Sequence, residues 1–311
     1  MGSRIAALGH YQPARIVTNH DLAGMVETND EWIRDRVGIV SRRISEGEGV
    51  ADMATYAAEK ALAASGLNAA DIDLVIVATC SAEDRCPNMA TRVARRLGVP
   101  TPAAYDLNTA CSGFSYALAN ADHAISAGAA RNAIVIGAEK LSDVIDWQDR
   151  TVSIIFADGA GAAVVTHSDE AAIGPVVWGS APEKGEMIRI EGWQPSVKQE
   201  GQAVFRWATT AVAQHARLAC EKAGVAPEEL AAFVPHQANT RIVDAIAKRL
   251  GLSENAVVAK DLVESGNTSA ASVPLALSKL VERHEVPSGA PVLLFGFGGG
   301  LTYAGQVVRC P

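Results

Sequence analysis

Three residues of chemistry-bearing type stand where the character of the flanking sequence changes. Cys111 lies in Ala103-Ala-Tyr-Asp-Leu-Asn-Thr-Ala-Cys-Ser-Gly-Phe-Ser-Tyr-Ala-Leu-Ala119. Through Leu107 this stretch reads as a short buried strand, and from Ser112 onward as a helix with almost no polar face. A helix that is apolar all round belongs inside a protein, so Cys111 is expected where a central strand turns into a buried helix. The positive end of that helix dipole favours the thiolate, which is the nucleophilic form. A small core residue fits the same place, since cysteine is among the most buried types. His236 closes the apolar run Phe233-Val-Pro235, a position where histidine more often serves structure than catalysis. Asn267 precedes the apolar run at 270–281 and, read alone, is a helix N-cap. Read together, a thiolate flanked by two hydrogen-bond donors suits acyl transfer. The sulfur attacks a thioester, and the donors hold negative charge as it develops on an oxygen.

An internal repeat supplies the elements that would bring residues 111, 236 and 267 together. A helix at 50–65, Gly66-Leu67 and an apolar strand at 74–79 recur as a helix at 201–223, Gly224-Val225 and a strand at 232–234. Arg95-Arg-Leu-Gly98 recurs as Lys248-Arg-Leu-Gly251, and the strand at 132–137 as Pro291-Val-Leu-Leu-Phe295. The apolar helix after Cys111 is echoed by the run after Asn267. A period near half the chain predicts two fused α/β halves, at 1–167 with the cysteine and at 168–311 with the histidine and asparagine. Open α/β folds bind ligands at the C-terminal edges of their strands, where the repeat puts all three residues. The first half opens on a strand at 4–9 and carries a surface helix at 30–39 with the lone Trp32. A helix at 88–97 follows, then a polar loop through Arg150. Residues 152–156 and 160–166 read as two strands joined by Ala157-Asp-Gly159. Near the end, Phe295-Gly-Phe-Gly-Gly-Gly-Leu-Thr-Tyr303 lacks the Lys-Ser/Thr ending of a phosphate-binding loop. A backbone amide offered to an oxyanion is the better use of such a turn.

Composition narrows the function class. With 311 residues, 49% hydrophobic and 20% charged, the chain is long enough to bury a sizeable core. A net charge of -8 without a dense basic tract argues against nucleic-acid binding. No apolar run approaches the ~20 residues that span a bilayer. The first residues lack a signal-peptide pattern. The five cysteines are scattered, with neither metal-ligand nor disulfide spacing. A soluble protein of the reducing cytoplasm is the expectation.

Four separated segments resemble the β-ketoacyl-acyl-carrier-protein synthase III family, the initiating condensing enzymes of type II fatty-acid synthesis. They are Asn108-Thr-Ala-Cys-Ser-Gly-Phe114, Pro235-His-Gln-Ala-Asn239, Gly266-Asn-Thr-Ser-Ala-Ala-Ser-Val-Pro274 and Gly296-Phe-Gly-Gly-Gly300. Trp32-Ile-Arg-Asp-Arg-Val-Gly38 and Phe156-Ala-Asp-Gly-Ala160 agree in place and order. The resemblance implies a thiolase-like, five-layered αβαβα fold of two duplicated halves. It implies that Cys111 accepts an acyl group from acyl-coenzyme A, and that His236 and Asn267 stabilise the enolate of a decarboxylated malonyl thioester. The amides of Cys111 and Gly299 would form a second oxyanion hole. Trp32, Arg36 and Arg150 would meet the nucleotide end of coenzyme A, with Phe205 and Asn239 along its pantetheine arm. Cys86 and Phe156 would shape the acyl pocket, Cys86 by reaching across a homodimer interface. Several family members carry phenylalanine there, so Cys86 leaves room for a longer or branched starter. Arg206, Arg241, Lys248 and Arg249 would dock the acidic malonyl-acyl carrier protein, although such charges otherwise read as a solvated face. No metal and no cofactor are implied, coenzyme A taking part only as its thioester substrate.

Three competing readings share parts of this set. A starter-unit ketosynthase of a polyketide pathway would keep every catalytic residue. An acyltransferase without condensation would have no enolate for Asn267 to stabilise. A non-catalytic partner subunit would need none of the three.

Overall fold

The run Leu74-Val-Ile-Val-Ala78 contains no polar residue because both faces of its strand are covered. Leu74, Ile76 and Ala78 join one apolar cluster, while Val75 and Val77 join another. This period of two is the signature of a strand between layers. The computed structural model describes residues 2–191 and 196–311. Its first sheet comprises β1 (Gly2–Tyr11), β2 (Leu74–Ala78), β3 (Ala103–Leu107), β4 (Asn132–Lys140) and β5 (Asp158–Ser168), in the order β1-β5-β4-β2-β3. The second comprises β6 (Val177–Ser180), β7 (Ala232–Pro235), β8 (Val257–Val258), β9 (Pro291–Phe297) and β10 (Thr302–Arg309), in the order β6-β10-β9-β7-β8. The two orders are the same with each strand advanced by five. The pattern of parallel and antiparallel pairs also matches.

Six helices complete the layers: α1 (Val50–Ser65), α2 (Met89–Leu97), α3 (Gly113–Ser126), α4 (Ala213–Ala223), α5 (Thr240–Leu250) and α6 (Ser272–Glu282). Helices α1 and α2 pack on the outer face of the first sheet, and α4 and α5 on the outer face of the second. Between the sheets lie α3 and α6, whose Phe114, Leu118, Val273 and Leu277 share one cluster with inward residues of both sheets. The result is the five-layered αβαβα arrangement. The helix at 201–223 includes a wide turn at Ala208–Val212, ahead of α4.

The halves interlock through two glycines at equivalent places. A Cβ on Gly137 of β4 would lie 2.3 Å from the Ala270 carbonyl, in the turn that leads into α6. A Cβ on Gly296 of β9 would lie 2.8 Å from Ser112 Cα, in the turn that leads into α3. Each sheet therefore admits the first turn of the other half's buried helix only because no side chain stands there. Each of these two turns holds a non-glycine residue in left-handed backbone, Ala110 at φ 47° and Ser269 at φ 46°.

Two expectations are corrected. Residues 103–107 form an edge strand that is exposed or half-buried, with Tyr105 37% exposed, and not a buried central one. Among the described residues β3 pairs with β2 alone, and Asp106 uses its carboxylate to accept from the Met89 and Ala90 amides at the start of α2. Residues 152–156 do not form a strand. Arg150–Ser153 is a helical turn capped by Asp149, which accepts from the Thr151 amide, and only Phe156 bridges to another segment. The β-branched residues there face an apolar cluster instead of a sheet. No described helix is long and apolar enough to cross a membrane.

Candidate active site

A cavity of about 660 Å³ is lined by Cys111, His236 and Asn267 together. Their side chains are buried, whereas Arg36, Arg150, Arg206 and Arg241 line the same cavity and are exposed. The cavity thus runs from a charged surface to a buried polar end.

Cys111 sits in the turn Ala110–Ser112 that opens α3. Ser112 Oγ donates to the Thr109 carbonyl at 2.9 Å and lies 2.8 Å from Thr302 Oγ1, which fastens this turn to the start of β10. A Cβ on Gly298 would lie 2.7 Å from Cys111 Sγ. Glycine at that position is what lets the glycine-rich turn close over the sulfur. The Gly299 amide then lies against the thiol, beside the amide of Cys111 itself. The expected thiolate is corrected here: burial pushes the thiol up, and the Ser269 hydroxyl and Gly299 amide only partly oppose it.

His236 follows the last residue of β7, and its amide donates to the Phe295 carbonyl at 2.9 Å. The ring meets Phe297 edge-on, with centroids 5.5 Å apart. Burial holds the ring at a pKa of about 3, so the imidazole is neutral. Nδ1 lies 2.8 Å from Ser272 Oγ, which also accepts from the Gln237 amide at 3.3 Å. The Ser272 hydroxyl can donate to Nδ1, and in that tautomer the ring proton sits on Nε2.

Asn267 is fixed at backbone and side chain. Its amide donates to the Ile155 carbonyl and its carbonyl accepts from the Ala157 amide, both at 2.9 Å. Oδ1 accepts from the Ser269 amide at 2.8 Å, a cap on the turn before α6. The N-cap reading and a donor role are therefore compatible. Capping occupies Oδ1, which leaves the Nδ2 amide protons as the group to offer to the cavity. Buried Arg42 stands behind this segment and donates to the Ile154 carbonyl at 2.7 Å.

Toward the surface, the Arg150 guanidinium lies 5.2 Å from the Trp32 ring centroid, and Arg241 lies 5.3 Å from that of Phe205. Asn239 caps α5 and also donates to the Arg36 carbonyl at 3.2 Å, so its amide is engaged within the protein. Phe156 lines the cavity beside Asn267. Cys86 is exposed and does not line the cavity of its own chain. Lys248 and Arg249 are exposed at the far end of α5 and also lie outside the cavity. Sequence reasoning missed Ser269, Ser272 and the fully buried Glu139. Glu139 carried a signal, as the first charged residue after the run Ala133-Ile-Val-Ile-Gly-Ala138. The serines carried none, lying in a stretch of small residues that any buried helix start uses.

Residues 105–182 match the model of the family 3-oxoacyl-[acyl-carrier-protein] synthase III, and residues 220–310 match its C-terminal model. The chain is 62% identical over 314 residues to β-ketoacyl-[acyl-carrier-protein] synthase III 4 of Streptomyces coelicolor, covering 100% of this chain and 99% of the relative. The figure is also 62%, with the same coverage, for synthase III 2 of Streptomyces avermitilis. Among solved structures, the priming β-ketosynthase from the R1128 polyketide biosynthetic pathway superposes with a TM-score of 0.98 at 42% identity, covering 99% of this chain and 96% of that one. The synthase III of Aquifex aeolicus gives 0.96 at 39% identity, covering 99% and 100%. With a cysteine, a histidine and an asparagine on one cavity of a duplicated αβαβα fold, and relatives matched along its whole length, this chain belongs to the β-ketoacyl-[acyl-carrier-protein] synthase III family of condensing acyltransferases.

Proposed function

We propose that the chain joins an acyl-coenzyme A starter to malonyl-acyl carrier protein by decarboxylative Claisen condensation, through an acyl-Cys111 intermediate, and so initiates fatty-acid synthesis. The observation that carries this reading is the convergence of Cys111, His236 and Asn267 on the buried end of one cavity. In the first half-reaction Cys111 Sγ attacks the thioester carbonyl. The oxyanion faces the amides of Cys111 and Gly299, and coenzyme A leaves. In the second, the malonyl thioester loses carbon dioxide, and the enolate oxygen accepts from His236 Nε2 and Asn267 Nδ2. The carbanion then attacks the acyl carbon and releases Cys111. A neutral histidine suits this task, since the ring donates without passing through a charged form that burial opposes.

The exposed end suits the carriers. Trp32, Arg36 and Arg150 offer a ring and two cations to the adenine and phosphates of coenzyme A, and Phe205 and Asn239 flank the pantetheine arm. Arg206, Arg241, Lys248 and Arg249 offer positive charge to an acidic carrier protein. The open edge of β3 suits a homodimer, which is also what would bring Cys86 to the acyl pocket of a partner beside Phe156. The halves at 1–167 and 168–311 then act as one unit, each supplying part of the site.

A second reading has its own support. The R1128 priming ketosynthase superposes at a TM-score of 0.98, so priming of a polyketide pathway uses the same fold and the same chemistry. One experiment addresses both readings. The intact protein is incubated with a mixed pool of acyl-coenzyme A thioesters and the adduct is mapped by mass spectrometry. One acyl group on Cys111 is expected, and its mass names the starter. An adduct on Cys80 or Cys86 instead would remove Cys111 as the acceptor.

A further inference from the structure

Arg42 lies in the short strand Ser41–Arg43, is 0% exposed and does not line the cavity. Nη2 donates to the Ile154 carbonyl at 2.7 Å, and Nη1 to Asn19 Oδ1 at 2.8 Å and to the Val17 carbonyl at 3.4 Å. Among the described residues these partners are all neutral, and Nε has none. Burial lowers its pKa only to about 10, so the side chain stays charged at neutral pH. A buried cation with no carboxylate beside it is costly to hold, and an apolar side chain of similar volume would fill the place without that cost. Asn19 relays the charge outward, since its Nδ2 donates to Asp30 Oδ1 and to the Ile39 carbonyl, both at 2.8 Å. One arm of the guanidinium is thus anchored, and the other is set on the backbone at 154.

That backbone carries Asn267. The Ile155 carbonyl and the Ala157 amide hold Asn267 from one side, each at 2.9 Å. From the other side the segment 263–266 is tied to the strand of Arg42. The Val40 amide donates to the Val263 carbonyl at 2.7 Å, and Ser41 Oγ to the Glu264 carbonyl at 3.0 Å. Between the two stands Gly266 at φ 71°, where a Cβ would lie 2.9 Å from Arg42 Cβ and 2.8 Å from Ala157 Cβ. Arg42 therefore meets both segments that fix Asn267: its stem lies against Gly266 and its guanidinium ends on Ile154. Asn267 Oδ1 is held by the Ser269 amide, so the direction of Nδ2 follows from where this backbone sits. We propose that Arg42 is a positioning residue for condensation, its guanidinium holding the 154–157 segment so that Asn267 presents Nδ2 to the enolate oxygen. This rests on the reading of Asn267 as the enolate donor. Loading draws on other supports, because Cys111 is set by the turn before α3 and by the glycine-rich turn at 298–300.

Arg42→Lys keeps the buried charge but replaces the planar fork with a single ammonium, which cannot serve Asn19 and Ile154 together in the same geometry. The enzyme is loaded from butyryl-coenzyme A in a single turnover, read by intact mass, and then chased with malonyl-acyl carrier protein. A catalytic group displaced by a fraction of an ångström loses much of its effect, so condensation should slow by about tenfold or more. Loading should stay within about twofold of normal, and KM for malonyl-acyl carrier protein should not change. Combining the substitution with Asn267→Ala separates positioning from general support of the fold. If Arg42 acts through Asn267, Arg42→Lys adds nothing to the loss that Asn267→Ala causes alone. Losses that multiply in the double variant, loading and condensation falling together, a change confined to KM, or condensation at the normal rate each overturn the proposal. Should Arg42→Lys fail to fold, Arg42→Met, which has no charge to bury, goes through the same comparisons with the same criteria. If Asn267→Ala itself condenses at the normal rate, the reading of Asn267 fails and this inference with it. A slow Asn267→Ala beside a normal Arg42→Lys removes this inference alone.

Discussion

At the scale of single residues, what distinguishes the site is the suppression of charge. His236 is neutral because it is buried, and its Nδ1 meets the Ser272 hydroxyl. This has a measurable cost in acid. The folded pKa is about 3 against 6.5 for the free side chain, so between those values the unfolded chain binds a proton that the folded chain refuses. Stability is therefore fully present above pH 6.5 and falls as pH drops toward 3, by up to about 1.4 kcal/mol per pH unit from this group. His236→Gln should show a shallower loss between pH 6.5 and 4 in denaturant titrations, by close to one proton. Equal slopes would mean that His236 is charged in the folded protein. Gly298→Ala should abolish acylation of Cys111 in an intact-mass assay, since the added methyl would lie 2.7 Å from the sulfur. The Cys, His and Asn were legible in the sequence because each stands where an apolar run begins or ends. Ser269 and Ser272 were not, because their places depend on contacts between segments distant in the chain or on backbone torsions that composition does not reveal, and Glu139 was marked only as a charge that ends an apolar run.

At the scale of elements, parity and punctuation were legible and position within a sheet was not. The alternation in Leu74-Val-Ile-Val-Ala78 is two-faced burial, and the repeated Arg-Leu-Gly at 96–98 and 249–251 ends α2 and α5 with glycine in left-handed backbone. The run at 103–107 misled because a strand beside a nucleophile suggests a central place, while Asp106 within it was the sign of an edge. The run at 152–156 misled because Val-Ser-Ile-Ile-Phe favours strands in isolation, whereas Asp149 caps a helical turn there. The turns that lead into α3 and α6 are the most constrained segments. Gly137→Ala should destabilise the protein by about 1–3 kcal/mol, a typical penalty for overpacking, because the new methyl meets the Ala270 carbonyl just before α6. A urea midpoint unchanged from that of the unaltered protein would show that the two halves can part without cost.

At the scale of the whole molecule, duplication explains why one site needs two halves. The equivalent turns before α3 and α6 differ in what they bring to the cavity: the first carries Cys111, the second Asn267. That repeat was legible from echoes such as Gly66-Leu67 and Gly224-Val225, and the strand orders carry it through both sheets. Surface charge belongs to this scale as well. Lys248 lies outside the cavity and two turns along α5 from Arg241, so Lys248→Glu should slow condensation with malonyl-acyl carrier protein and leave loading from acyl-coenzyme A unchanged. A charge reversal on a rim acts mainly on association rate, and equal loss in both steps would place Lys248 in the support of the fold. Asn267→Ala probes the proposed division of labour, in which the first half receives the acyl group and the second stabilises the enolate, without touching Cys111. The variant is loaded with acyl-coenzyme A in a single turnover and then chased with malonyl-acyl carrier protein. Cys111 should load at the normal rate, and condensation should slow by on the order of 10²–10³-fold. Loading and condensation both at the normal rate would contradict that division and leave Asn267 as a helix cap alone.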